Sequence, residues 1–147
     1  MKIGIELAIK TPENEIEQAI KLCEKYNLDR IWIPDSNISL WEFWSILGVT
    51  ANVTSSIRIG AGVTSPYQRN PDVMAQAAIT IDQLSNGRLD IALGRGSRFW
   101  LSNIGIEGID DGLNESFDIL KSLFAGEDLD YSGNQFNIKS PALRQPT

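Results

Sequence analysis

The chain has 147 residues, 42% apolar and 22% charged, enough to bury one core and too many for a peptide module. Its formal net charge is −6, and its 13 Lys and Arg residues are scattered rather than striped, which argues against a nucleic-acid or anionic-membrane partner. Histidine is absent, so a Ser-His-Asp triad, a Cys-His pair and every histidine metal site are excluded within the chain, and acid-base work falls to carboxylates or hydroxyls.

In chain order, "KIGIEL" predicts a first strand, followed by a helix with Thr11 as N-cap and Pro12 as its first residue. That helix carries the stripe Ile16, Ala19, Ile20 and Cys23, which makes the lone cysteine a buried packing residue. One cysteine also rules out an internal disulfide and fits a reducing, cytoplasmic setting. The early acidic residues of "MKIGIELAIKTPENE" do not suit a signal peptide, and no run approaches the roughly 20 apolar residues of a membrane span.

"RIWIP" predicts the second strand, before a helix opened by a Ser39/Glu42 capping box with Leu40, Phe43, Trp44, Leu47 and Ala51 on one face. "IRIGAG" precedes a third helix, with Asn70 as cap, Pro71 first, and the stripe Met74, Ala77, Ala78, Ile81 and Leu84. "RLDIALG" precedes a fourth, delayed helix that aligns Leu113, Phe117, Leu120 and Phe124. Strand starts near 2, 30, 57 and 88 recur every 27 to 31 residues or so, the length of a βα unit. One domain of residues 1–147 is expected: four βα units over 1–126, then a small hairpin about "SGNQ" and a Pro-bearing tail over 127–147.

Four such units suit either an open doubly wound sheet or half of an eight-stranded barrel. In both, ligands bind at the carboxyl ends of the strands. Glu6, Asp35, the run Gly62 to Pro66 and the run Gly94 to Ser97 all fall there. Gly60 and Gly62 let a flat ligand approach the backbone or let the strand bulge, and Thr64 and Ser65 offer hydroxyls; the same residues also suit an ordinary strand-to-helix loop. "LGRGS" has two glycines one residue apart after a strand but lacks the third glycine of a dinucleotide fingerprint, where Phe99 stands. Glu6 is the one acid among the apolar residues of the first strand, either a buried functional carboxylate or a rim residue meeting water. Trp100, in the polar stretch "GSRFWLSN", is the tryptophan expected near a ligand or partner.

Taken together, "MKIGIEL", "WIPDS", "GAGVTSPYQRNP" and "AITIDQLSNGRLDIALGRGS" resemble the luciferase-like superfamily, and within it the coenzyme F420-dependent methylenetetrahydromethanopterin reductases. The resemblance runs to about residue 126 and implies half of a TIM (β/α)8 barrel. It implies a non-proline cis peptide between Gly62 and Val63 behind a deazaflavin ring, with Val63 and Thr64 completing the rest. It further implies Glu6 as an acid-base or electrostatic residue, and Asp35, Gly94, Gly96 and Ser97 as cofactor contacts at the rim. The implied activity is hydride transfer between F420 and a small organic or pterin-like substrate such as methylenetetrahydromethanopterin. An FMN-dependent luciferase-like monooxygenase, and a catalytically silent half-barrel that dimerises, are the alternatives. Where these reductases carry Asp-His the chain has Asp35-Ser36, and Ser97 replaces an acid, which points to a related deazaflavin or flavin oxidoreductase. The family runs to roughly twice this length, so the expectation is either a fragment of a longer protein or a homo-oligomer through exposed half-barrel edges.

Overall fold

The computed structural model describes residues 1–106 and 112–143. Its elements run β1 Gly4–Glu6, α1 Glu13–Lys25, β2 Arg30–Ile33, α2 Phe43–Val53, β3 Arg58–Thr64, α3 Pro71–Leu84, β4 Leu89–Leu93, α4 Arg98–Asn103, α5 Gly112–Phe124, β5 Leu129–Ser132 and β6 Asn137–Ser140. They group into two compact units: Met1–Thr64 with Thr80–Ala92, and Ser65–Ile79 with the chain from Leu93 onward.

In the first unit the strands lie in the order β1-β2-β3-β4, with Ile5 opposite Ile31 and Ile31 opposite Ile59 in parallel register. These are the βα units of the predicted α/β fold. Alternation puts Ile31, Ile33, Ile59 and Ala61 on one face, all with no exposed surface, where Ile16 and Ile20 of α1 and Leu47 and Ala51 of α2 are buried too. The other face carries Gly4 and Glu6, Arg30 and Trp32, Arg58 and Gly60. Asn86 and Gly87, both at positive φ, make the tight turn from α3 into β4. Cys23 is buried, as its stripe predicts.

Helix starts differ from the sequence reading in two places. Thr11 does not cap α1: its hydroxyl donates to the Ala8 carbonyl at 2.8 Å, and Pro12 takes the cap position without a side-chain bond. Ser39 does not open α2 either. Glu42 is the cap, accepting from the Ser45 N–H and hydroxyl at 2.8 Å each, because a carboxylate reaches the first turn's free N–H groups from the same side. Leu40, outside the helix, is exposed, as is Leu84 at the end of α3.

In the second unit α5 buries Ser116, Ile119, Leu120 and Leu123 and leaves Phe117 and Phe124 exposed, so its core stripe is rotated from the predicted one. The rotation has a cause in Glu115. Its carboxylate accepts the backbone N–H groups of Asn134, Gln135 and Phe136, which pins the buried face of α5 on the β5–β6 turn. β5 and β6 form the expected antiparallel hairpin, Leu129 opposite Ser140. The end of the Pro-bearing tail lies outside the described residues.

Candidate functional site at the carboxyl ends of the strands

Four parallel strands put their carboxyl ends on one edge, where nothing continues the ladder and loops supply the chemistry. In the first unit this edge holds Glu6, Asp35 and the segment Gly62 to Thr64. A cis peptide joins Gly62 to Val63. A side chain at residue 62 would meet Ala92 Cβ at 2.8 Å and its carbonyl oxygen at 3.1 Å, so only glycine lets β3 lie this close to β4. Val63 then turns outward with 58% of its surface exposed, between neighbours that are buried.

What fixes the segment is Thr64. It is fully buried, and its hydroxyl donates to Asp35 Oδ2 at 2.5 Å across 29 residues of chain. A short bond to a carboxylate is among the stronger neutral-to-charged contacts, and it ties the exit of β3 to the exit of β2. The structure thus brings together Asp35, Gly62, Val63 and Thr64. Asp35 reaches them as an anchor for Thr64.

Glu6 is exposed at the end of β1, opposite Trp32 in the register, and makes no hydrogen bond or ion pair among the described residues. The Trp32 ring lies on Gly60, where a Cβ would stand 2.2 Å from its Cε3. Arg30 stacks over the same ring at 5.2 Å, so the sheet beneath Glu6 presents a flat aromatic and cationic floor.

Gly94, Gly96 and Ser97 belong to the second unit and follow β4 directly. Gly96 has φ 78°, the left-handed region, and a Cβ there would press on Leu101 and on the Ser65 side chain at 3.2 Å. Ser65 donates its hydroxyl to the Arg95 carbonyl at 3.1 Å, so it braces this loop rather than facing a ligand. The helix expected a dozen residues later is preceded by one the sequence reading missed. α4 begins at Arg98 with Ser97 at its cap position, and Ser97 makes no side-chain cap bond.

Two further residues escaped the sequence reading because their partners are distant backbone groups. Arg88, buried at the start of β4, donates to the carbonyls of Ser85, Ile57, Ala51 and Thr54 and to the Thr54 hydroxyl. Burial lowers its guanidinium from the usual range, with the Glu24 charge opposing. Burial also pushes the Glu24 carboxyl up, but the N–H groups of Ser56, Ile57 and Ser55 and the Ser56 hydroxyl outweigh it, bringing Glu24 down to about 2. Both residues sit at the amino ends of the strands, opposite the candidate site.

Comparison with known proteins gives a consistent result. The family model described as luciferase-like monooxygenase matches residues 2–147. The chain is 32% identical over 145 residues to a 5,10-methylenetetrahydromethanopterin reductase of Archaeoglobus fulgidus, covering 97% of this chain and 43% of that protein. It is 26% identical to an F420-dependent glucose-6-phosphate dehydrogenase of Amycolatopsis mediterranei, covering 94% of this chain and 46% of that one. Its fold superposes on the coenzyme F420-dependent tetrahydromethanopterin reductase of Methanopyrus kandleri with a TM-score of 0.86 at 24% identity, over 97% of this chain and 46% of the other. The chain spans less than half the length of these relatives.

Proposed function

The chain belongs to the luciferase-like monooxygenase family, and on that premise we propose that it serves an oxidoreductase that moves hydride between the deazaflavin F420 and a small organic or pterin-like substrate. One observation carries this reading: the exit of β3 is an anchored piece of backbone that holds one apolar side chain out to solvent. Gly62 has no room for a side chain, Val63 offers its exposed surface, and Thr64 is locked by Asp35.

These residues suit a planar heterocycle. A ring laid on Val63 meets apolar surface, and the Asp35–Thr64 bond keeps that surface from yielding, which orients a ring toward whatever occupies its open face. A bound deazaflavin supplies a carbon that carries hydride. Glu6 is the exposed carboxylate at the same edge of the first unit, and its role is to hold a proton or to stabilise positive charge on the substrate. Gly94, Gly96 and Ser97, in the second unit, are offered as backbone contacts for such a group, with Gly96 in the left-handed region that glycine favours.

The names of two of the relatives, both F420-dependent, support the deazaflavin over FMN. Titration of the protein with oxidised F420 and, separately, with FMN tests the reading by absorbance. Saturable F420 binding about tenfold tighter than FMN is expected. Preferential FMN binding moves the cofactor to a flavin, and no saturable binding of either overturns the reading.

A further inference from the structure

Ser65 opens the second unit and is only 2% exposed, and its carbonyl and hydroxyl are both engaged within that unit. The carbonyl accepts the N–H groups of Gln68 at 3.1 Å and Arg69 at 3.4 Å. The hydroxyl accepts the Tyr67 N–H at 3.3 Å and donates to the Arg95 carbonyl at 3.1 Å. A serine hydroxyl has one proton to give, and here it is committed to Arg95. The loop it reaches is held from the other side as well, since the Ser97 carbonyl accepts the Leu101 N–H at 2.9 Å. The carbonyls before and at the far side of Gly96 are thus both fixed, and the residue between them is the one at φ 78°.

Holding a carbonyl also aims an amide. A peptide unit is planar, and in the trans form its C=O and N–H point in opposite directions. The Arg95–Gly96 peptide is trans, the cis bond among the described residues being Gly62–Val63. With the Arg95 oxygen drawn toward buried Ser65, the Gly96 N–H is turned away from Ser65, and it has no acceptor among the described residues. Gly96 itself is exposed. Its lack of a side chain is what allows the approach, because a Cβ there would stand 3.2 Å from Ser65 Oγ and 3.3 Å from Ser65 Cβ. From this geometry we infer that Ser65 is a positioning residue, which holds the Arg95–Gly96 peptide so that the Gly96 N–H donates to an acceptor oxygen of the bound ligand. This deepens the reading of Gly94, Gly96 and Ser97 as backbone contacts and rests on it. An amide aimed before the ligand arrives has less freedom to lose on binding. Without the hydroxyl the Arg95 carbonyl has no donor to hold it, and glycine on the far side of the peptide does little to stop the unit from turning.

Nuclear magnetic resonance on the isotope-labelled 147-residue chain reads the Gly96 amide directly, through its exchange with water, in the absence and presence of oxidised F420. In wild type this amide is expected to exchange freely without ligand and to slow about tenfold or more at saturation. Ser65→Ala should bind F420 about tenfold more weakly and lose that slowing even when saturated. Its Tyr67 amide, which the same hydroxyl accepts, should exchange faster with or without ligand, and this marks the structural part of the change. A merely structural Ser65 would leave the ligand-dependent slowing at Gly96 in place. The wild-type measurement stands whatever becomes of the variant: a Gly96 amide that still exchanges freely in the F420-saturated wild type overturns the inference while the cofactor reading stands. Ser65→Ala that binds F420 as tightly as wild type, with the same slowing at Gly96, overturns it equally. Wild type that shows no saturable F420 binding overturns both.

Discussion

The two ends of the parallel sheet are built from the same strands and to opposite purposes. At the amino ends, Arg88 closes on four carbonyls and a hydroxyl, and Glu24 closes on three backbone N–H groups, so the polar groups there are answered within the unit. At the carboxyl ends, Glu6 is left in the open, Val63 is turned outward, and one short bond, Thr64 to Asp35, holds the segment. The contrast teaches that the polar groups are satisfied within the unit at one end of the strands and left open at the other, so that a change at one end need not disturb the other.

Substitutions at the amino end should cost stability most. Arg88→Met leaves the carbonyls of Ala51, Thr54, Ile57 and Ser85 without their donor in a buried place, a loss of about 3 kcal/mol or more in chemical denaturation. Glu24→Gln should cost about 1.5 kcal/mol at neutral pH, discounted for its partial exposure. Its pH dependence has a definite sign. With the folded carboxyl at about 2 and the ordinary value at 4.5, the charge stabilises fully above the ordinary value. That contribution is lost as pH falls through this window, so wild type and variant should converge near its lower end. Denaturation midpoints of both proteins across that range check it.

The carboxyl end should respond in the reverse way. Thr64→Val removes the bond to Asp35 at nearly constant volume and should cost about 1 kcal/mol, but should weaken F420 binding further by releasing the segment that carries Val63. Val63→Asp should change stability by under about 0.5 kcal/mol, because the side chain is already in solvent, while abolishing the apolar rest. A Val63→Asp protein that unfolds markedly earlier would erase the distinction between the two ends.

Much of the first unit was legible in the sequence. The four alternating runs and their spacing give the parallel units, and the family resemblance carried by "GAGVTSPYQRNP" implied the cis bond that the structure has between Gly62 and Val63. Helix ends were less legible, since Thr11, Ser39 and Glu42 are all competent caps and only the path of the chain decides among them. α4 has six residues, too few for a period to show. Glu24, Arg88 and Glu115 had no sequence signal, because what they bind is mostly backbone some 19 to 37 residues away. The role of Asp35 fell between: its place at the rim was legible, and its bond to Thr64 was not.

The central claim is that the anchored exit of β3 is a rest for a deazaflavin ring. Parallel F420 titrations of wild type and Val63→Asp, both confirmed folded by their denaturation midpoints, test it most directly. The account predicts saturable binding in wild type and an affinity about tenfold or more weaker in the variant. Equal affinity in the two proteins would contradict it.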